Sequence, residues 1–284
     1  MTISARGLAK SFGDTQVITH LDLEVAAGEV VALLGPNGAG KTTTIGILTT
    51  VIAADAGTAS VAGFDVATQP DQVRRAIAVT GQSASVDSML TGAENLTMLA
   101  ELRGMPRTTA TRVAGEMLAE FGLEDAANRR ASTYSGGMRR RLDLALGLVA
   151  PAPVLILDEP TTGLDTRSRS WLWEQVRQAA AGGATVLVTT QYLEEADQLA
   201  DRVVVLHNGT AVANDTPAAL KQSVAAPRLE LATASGRLLE THSTTATAAD
   251  VRALLAGAPD DATVTIRTPT LDDVFLELTS EVSA

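Results

Sequence analysis

The sequence predicts an α/β fold built on a mostly parallel sheet. Residues 30–34 read VVALL and lead directly into GPNGAGKTTT, after which Ile45, Leu48 and Ile52 recur at helical spacing. This order predicts a strand, a loop and a helix. Further short, continuous apolar runs are typical of strands that are buried on both faces of a sheet. They lie at residues 77–79, 154–157, 186–188 and 203–206. Such strands, separated by helical segments, indicate an α/β core.

Between residues 89 and 150 the strand signals give way to helical periodicity. Segments such as TTATRVAGEMLAEFGL and GGMRRRLDLALGLVA carry it. We therefore expect a helical subdomain of about residues 89–150 within a larger domain of residues 1–225. Residues 207–210, HNGT, predict a hairpin turn after the last of the apolar runs.

Residues 226–284 are expected to form a small C-terminal α+β domain. The stretches RLELAT and VTIRT alternate as strands do. Thr270, followed three residues later by Asp273, predicts the first turn of a helix. No motif with a recognisable chemistry occurs in this region.

Composition and charge exclude several classes of protein. Acidic residues outnumber basic ones by 33 to 22, and the net charge of -11 opposes a nucleic-acid partner. The chain has no cysteine, so disulfides are excluded.

The start of the chain, MTISARGLAK, lacks the apolar core of a signal peptide. The longest uncharged apolar stretch, residues 144–157, contains two prolines and is shorter than the roughly 17 to 25 residues of a membrane helix. We expect that this chain does not cross a bilayer by itself.

Residues 35–42, GPNGAGKT, match the phosphate-loop pattern G-x-x-x-x-G-K-[ST], with the required strand before and helix after. In such a loop, backbone N–H groups surround phosphate oxygens, Lys41 reaches the β and γ phosphates, and Thr42 binds Mg²⁺. A glycine-rich turn that merely joins strand to helix is the alternative. The candidate phosphate-binding residues are Gly35, Pro36, Asn37, Gly38, Ala39, Gly40, Lys41, Thr42 and Thr43.

Two adjacent carboxylates, Asp158 and Glu159, end the apolar run VLILDEP. Burying both without partners is costly. We expect Mg²⁺ to be the partner of Asp158 through a coordinated water, and Glu159 to polarise the water that attacks the γ-phosphorus. The alternative is an acidic strand end that faces solvent.

The motifs YSGGM at residues 134–138 and LDEPTTGLD at residues 157–165, together with GPNGAGKTTT, resemble the nucleotide-binding subunits of ABC transporters. The resemblance covers about residues 2–215. It implies a P-loop NTPase fold and an ATPase that uses ATP and Mg²⁺. It also implies a homodimer around two ATP molecules, in which Ser135, Gly136 and Gly137 of one chain cap the nucleotide bound by the other. A separate integral membrane permease and a peripheral location on the cytoplasmic face of the cell membrane are further implications.

The resemblance also implies roles for four residues outside these motif cores. Phe12 stands where the family stacks a ring, more often tyrosine, on adenine, with Val17 at the matching position after it; a place in the core is the alternative for Phe12. Gln82 matches the lid-loop glutamine that reaches Mg²⁺ and the attacking water, unless it is an ordinary loop residue. Asp165 matches a subunit-contact aspartate and also suits the N-cap of the next helix.

Gln191 departs from the family pattern, because most members have histidine at this position. An amide donates and accepts hydrogen bonds but does not titrate near neutral pH. We expect Gln191 to donate to the γ-phosphate and to accept from the attacking water or contact Asp165 of the second chain. A glutamine that merely flanks a helix and binds no ligand is the alternative.

Arg139, Arg140 and Arg141 crowd the first turn of the helix that Ser135 opens, where the helix dipole disfavours cations. Helix stability therefore does not explain them. An anionic neighbour and a solvated basic face remain as alternatives.

The segment TTQYLEEADQLADR and the tail LDDVFLELT resemble the ATP-binding subunits of daunorubicin and doxorubicin resistance exporters. Export is therefore implied, and we expect residues 226–284 to serve in dimerisation or permease docking rather than simply to extend the core. Two other functions stay open. One is a soluble ABC ATPase in DNA repair or translation, which the acidic charge disfavours. The other is a regulatory subunit that binds ATP and hydrolyses it weakly.

Overall fold

A computed structural model describes residues 1–81, 86–224, 227–233, 237–259 and 262–280. Their backbone contacts group into two compact units, residues 1–214 and residues 215 onward. The assignment of residues 1–225 to a nucleotide-binding domain, and of residues 226–284 to an accessory domain, stays a prediction.

The first unit contains a large sheet with helices around it. Its strands are β1 (Ile3–Phe12), β2 (Thr15–Val25), β3 (Val30–Leu34), β4 (Ala56–Val61), β5 (Phe64–Asp65), β6 (Ile77–Thr80), β7 (Val154–Asp158), β8 (Thr185–Thr190), β9 (Arg202–His207) and β10 (Thr210–Asp215). Its helices are α1 (Lys41–Leu48), α2 (Pro70–Ala76), α3 (Gly92–Leu102), α4 (Arg107–Glu120), α5 (Gly136–Leu148), α6 (Thr166–Ala181) and α7 (Leu193–Leu199). In the described residues the strand order is β5-β4-β1-β2-β10-β9-β3-β8-β7-β6.

The predicted parallel core is confirmed. Strands β6, β7, β8, β3 and β9 are neighbours in that order and pair in parallel. Leu34 pairs with Thr190, and Asp158 pairs with Thr189. Because the strands are parallel and in register, the carboxyl ends of β3, β7 and β8 lie at one edge of the sheet, which is where α/β sheets bind ligands.

Alternate residues of the central strands belong to two apolar clusters. In β7, Leu155 and Leu157 pack in the cluster that also holds Leu142 of α5, whereas Val154 and Ile156 pack in the cluster that holds Ile47 of α1. Side chains of successive strand residues point to opposite faces. The continuous apolar runs therefore arise because both faces of this sheet are covered.

The antiparallel strands near the N-terminus were not predicted from the sequence. Strand β1 pairs antiparallel with both β2 and β4. Its pairing with β2 shifts register between Ala5 and Leu8 and again after Leu8. Such irregularities break the two-residue alternation that identifies a half-buried strand.

Helices replace strands between β6 and β7, as predicted. Helix α3 begins with a capping box in which Thr91 and Glu94 bond each other's backbone N–H groups. Ser135 is the N-cap of α5, and its Oγ accepts from the N–H of Met138 at 3.2 Å. The predicted turn between β9 and β10 has positive φ at Asn208 and Gly209.

In its described residues, the second unit holds a small antiparallel sheet and three α-helices. Its elements are α8 (Pro217–Val224), β11 (Arg228–Ala232), β12 (Leu238–Ser243), α9 (Ala248–Leu254), β13 (Thr263–Arg267) and α10 (Leu271–Ser280). The order of the strands is β12-β11-β13. The predicted strands and helix are confirmed, and Thr270 and Asp273 bond each other reciprocally at the start of α10. Among the described helices, none is both long enough and apolar enough to span a bilayer.

Candidate functional site

The predicted phosphate loop connects β3 to α1 at the carboxyl edge of the sheet. All five residues of β3 are buried, and Gly40 is the N-cap of α1. No side chain accepts from the first turn of this helix at its cap. The N–H groups of that turn thus have no partner within the helix, and together with the helix dipole they favour an anion.

Two glycines of the loop are required by close backbone approaches. A Cβ at Gly35 would lie 2.4 Å from the carbonyl oxygen of Leu206. Gly40 has φ of 105°, and a Cβ there would lie 3.0 Å from the carbonyl oxygen of Val17. A side chain at Gly35 would push the loop away from β9, and a side chain at Gly40 would push it away from the backbone of Val17.

Lys41 lies across this loop. Its Nζ donates to the carbonyl oxygens of Gly35 at 2.8 Å and Pro36 at 3.1 Å, and lies 3.6 Å from Oε1 of Glu159. The lysine side chain is 4% exposed and that of Glu159 is 9% exposed. The structure thus brings together the cation predicted for phosphate binding and the carboxylate predicted for water activation.

The alternative of an acidic strand end that faces solvent is wrong, because Asp158 and Glu159 are both buried. Their partners come from the protein. Thr189 of β8 donates its hydroxyl to Oδ1 of Asp158, and Lys41 lies beside Glu159. Sequence reasoning missed Thr189, since its position opposite Asp158 depends on the register of two distant strands.

Gln191 directly follows β8 and is exposed. Thr190, the residue before it, accepts a hydrogen bond from the N–H of Gly35 at 3.4 Å through its backbone carbonyl. Gln191 therefore leaves the sheet at the same edge as the phosphate loop.

On the following helix, burial raises the pKa of Glu195, whose Oε1 accepts from the indole N–H of Trp173 at 3.4 Å.

Three other predicted residues share a separate cavity. Ser135 and Gly137, at the start of α5, line a cavity of about 540 Å³ together with Asp165. Asp165 is the N-cap of α6, and the backbone N–H of Ser168 donates to its carboxylate at 2.8 Å and lowers the pKa of Asp165. The capping role foreseen for Asp165 is confirmed. Ser135, Gly136 and Gly137 are all exposed.

Phe12 is 47% exposed at the end of β1, so the alternative that places it in the core is wrong. The Nζ of Lys10 lies 5.4 Å from the centre of its ring. Val17 is half-buried and lines the cavity at the phosphate loop. Gln82 lies outside the described residues.

The three consecutive arginines satisfy backbone carbonyls, which neither alternative foresaw. Arg139 donates to Ala131, and Arg141 donates to Phe121 and Gly122. Arg140 has an anionic neighbour, Asp143, and also reaches three carbonyls of other segments. Every residue has a backbone carbonyl, so the sequence alone does not indicate which carbonyls these arginines bond.

The residues at the loop fit the phosphate groups of a nucleotide and a magnesium ion. They line a cavity of about 130 Å³ formed by Val17, Asn37, Gly38, Gly40, Lys41, Thr42, Thr43 and Glu159. The cation of Lys41 and the open N–H groups of α1 suit phosphate oxygens. The exposed hydroxyl of Thr42 suits Mg²⁺.

Comparisons with known proteins agree with the geometry. The family model described as ABC transporter matches residues 18–162. The daunorubicin/doxorubicin resistance ATP-binding protein DrrA of Streptomyces peucetius is 52% identical, over 81% of this chain and 69% of the relative.

Solved structures share the fold. A structure described as the ATP-binding subunit of an ABC transporter matches with a TM-score of 0.76 and 26% identity, over 98% of this chain and 100% of the other. An ATP-binding cassette, solved as a dimer in a post-hydrolysis state with ADP and Pi, matches with a TM-score of 0.69 and 23% identity over 75% of this chain and 98% of the other. The phosphate loop, the buried acid pair and these likenesses lead to one conclusion. The chain belongs to the ABC transporter family, as one of its nucleotide-binding ATPase subunits.

Proposed function

We propose that this protein is the ATP-hydrolysing subunit of an antibiotic exporter, and that it drives a separate integral membrane permease from the cytoplasmic face of the cell membrane. The approach of Lys41 Nζ to the Glu159 carboxylate, at 3.6 Å within the phosphate-loop cavity, carries the hydrolytic part. The name of the Streptomyces peucetius relative, a drug-resistance ATP-binding protein, supports the exporter part.

In this proposal the loop residues bind the triphosphate and a magnesium ion. Backbone N–H groups of the loop and of the first turn of α1 surround the phosphate oxygens, and Lys41 neutralises them. Thr42, Asp158 and Gln82 would hold Mg²⁺. When bound, Mg²⁺ neutralises charge that develops on the transferred phosphoryl group. Phe12 stacks on adenine, with Val17 at its side.

Glu159 acts on the attacking water. Its carboxylate is fixed beside Lys41, accepts the proton of the water and leaves the hydroxide to attack in line with the departing oxygen. The amide of Gln191 donates to the γ-phosphate and, through its oxygen, orients the water. Because a glutamine carries no titratable proton, Glu159 is the group that takes the proton.

Two copies of the chain complete the site. Ser135, Gly136, Gly137 and Asp165 are exposed in one chain and are therefore accessible to a second copy. The proposed homodimer places the serine and glycines of each copy over the nucleotide bound by the other, with Asp165 at the contact. The related cassette with bound ADP and Pi is a dimer, which supports this arrangement. Residues 226–284 are proposed to strengthen the dimer or to dock the permease.

Coexpression with the permease tests the proposed function. A candidate permease, identified as a neighbouring reading frame that encodes several bilayer-spanning apolar segments, is coexpressed with this chain, and the membrane fraction is purified through a tag on the permease. We expect the chain to copurify and the complex to hydrolyse Mg-ATP. A chain that stays out of the membrane fraction and sediments with ribosomes would instead support a role in translation.

We expect Gln191→Ala to reduce ATP turnover by roughly ten- to a hundredfold, because a hydrogen bond to a charged group contributes about 1.5 to 3 kcal/mol. Steady-state ATPase measurements on the permease complex check this value. Gln198→Ala is the control, since Gln198 is an exposed glutamine on the following helix. Turnover of Gln191→Ala equal to that of the wild type would leave Gln191 as a helix-flanking residue without a ligand.

A further inference from the structure

The guanidinium of Arg140 joins three segments of the first unit. Its Nε donates to the carbonyl of Pro160 at 3.2 Å, Nη2 donates to the carbonyl of Glu159 at 2.8 Å, and Nη1 donates to the carbonyl of Gly81 at 2.8 Å. The planar fork of arginine suits several acceptors at fixed angles, which a lysine ammonium cannot match. Helix α5 is thereby connected to the ends of β6 and β7.

One of these acceptors belongs to a residue with an unusual backbone. Glu159 has φ of 48°, in the left-handed region that residues other than glycine rarely adopt. Such conformations persist only where the surrounding contacts enforce them. The N–H of Glu159 donates to the carbonyl of Thr189 at 3.0 Å, and its carbonyl accepts from Arg140 and, at 3.3 Å, from the N–H of Thr162.

The position of Arg140 is itself held by charge. Its Nη1 lies 3.1 Å from Oδ2 of Asp143, one turn further along α5. The Asp143 side chain is 1% exposed and that of Arg140 is 15% exposed. Solvent screens the Arg140–Asp143 pair only weakly, because both side chains are largely buried. Few other orientations of the guanidinium keep its bonds to both the carboxylate and the carbonyls.

We propose that Arg140 is a positioning residue for hydrolysis, which holds the backbone of Glu159 in its left-handed conformation and so directs the Glu159 carboxylate toward the phosphate loop. The proposal rests on the proposed function, in which Glu159 activates water. In this role Arg140 acts through Glu159, whose carbonyl oxygen accepts from Nη2. It also connects the base to α5, the helix that begins after Ser135.

The kinetic test compares Arg140→Met with Arg140→Lys in the full chain bound to its permease. A displacement of a reacting group by about 1 Å costs about a hundredfold in rate. We therefore expect Arg140→Met to lower kcat by about that factor and to leave the Kd for Mg-ATP almost unchanged. Arg140→Lys retains one donor and is expected to fall between the methionine variant and the wild type. Equal losses of kcat and of ATP affinity would overturn the proposal.

Arg103→Met is the matched control, because Arg103 also donates to a backbone carbonyl, that of Ile77 at 2.8 Å at the beginning of β6. We expect it to leave kcat near the wild-type value. Combining Arg140→Met with Glu159→Gln gives a second test. If Arg140 acts through Glu159, the double variant hydrolyses ATP no more slowly than Glu159→Gln alone, whereas multiplied losses contradict the proposal.

Hydrogen exchange separates this proposal from the proposed function, because it needs neither ATP nor hydrolysis. In the nucleotide-free chain, we expect the amides of Glu159, Thr161 and Thr162 to exchange faster in Arg140→Met than in the wild type or Arg103→Met. Unchanged exchange overturns the role of Arg140 even if the protein is an active ATPase. A wild-type complex that binds ATP but does not hydrolyse it overturns the proposed function, whatever the exchange result. If Arg140→Met does not fold, Arg140→Lys provides both measurements.

Discussion

Glu159→Gln is expected to lower ATP turnover by about 10² to 10⁴, because positioned general bases contribute about that much to enzymatic rates. Glutamine has nearly the same shape as glutamate and can keep the backbone contacts to Thr189 and Arg140. What it loses is the capacity to accept a proton from water. Nucleotide binding depends on other groups, so we expect the Kd for Mg-ATP to stay close to that of the wild type.

The same variant is expected to accumulate the ATP-bound dimer. If hydrolysis separates the two copies, blocking it leaves them closed around the nucleotide. Size-exclusion chromatography with light scattering, in saturating Mg-ATP and with the permease present, measures the dimer fraction, and a phosphate-release assay measures turnover. The control is Glu194→Gln, since Glu194 is an exposed carboxylate on α7. Wild-type turnover in Glu159→Gln would require a different base.

Lys41→Met is expected to weaken ATP binding by at least ten- to a hundredfold, because each hydrogen bond to a charged group contributes about 1.5 to 3 kcal/mol. Lys41→Met also affects the protein without nucleotide. The carbonyl oxygens of Gly35 and Pro36 lose their hydrogen-bond donor, and the Glu159 carboxylate stays buried without its cation. Loss of one partner of a buried pair costs about 3 to 5 kcal/mol, and we expect the lower end of this range since the charged atoms are 3.6 Å apart.

A double variant distinguishes these two effects. Lys41→Met combined with Glu159→Gln removes both charges, so we expect the melting temperature to recover toward the wild-type value while ATP affinity stays low. Isothermal titration with Mg-ATP and thermal unfolding measure the two quantities separately. Lys221→Met, which removes a lysine of α8, controls for the change in net charge. Recovery of ATP affinity in the double variant would contradict a direct contact between Lys41 and phosphate.

Much of the fold followed from local patterns. The apolar runs predicted the five parallel strands, because a strand covered on both faces must be apolar at every position. The N–H-capping side chains at Ser135, Asp165 and Thr270 marked helix starts correctly, since a cap bonds N–H groups only two or three residues away. The antiparallel strands β1, β2 and β4 escaped detection because irregular register interrupts their alternation.

Within the candidate site, too, some features were predicted from local sequence and others were not. The phosphate loop was identified from a contiguous motif, because its glycines, lysine and threonine stand at fixed spacing between a strand and a helix. The partners of Asp158, Glu159 and Arg140 could not be identified in this manner. Thr189 meets Asp158 because β7 and β8 pair in one register, and a shift by one residue would direct the threonine to the other face.

By itself, the sequence determined the five parallel strands, the helices between β6 and β7, the phosphate loop, the acid pair and the helix caps. These features depend on backbone sterics and hydrogen bonds that act over a few residues. Only the tertiary structure decided that Lys41 lies beside Glu159, that Arg140 bonds carbonyls of two strand ends, and that Phe12 is exposed. Contacts between residues so far apart in the chain exist only once the sheet has selected its register and the helices have packed on it.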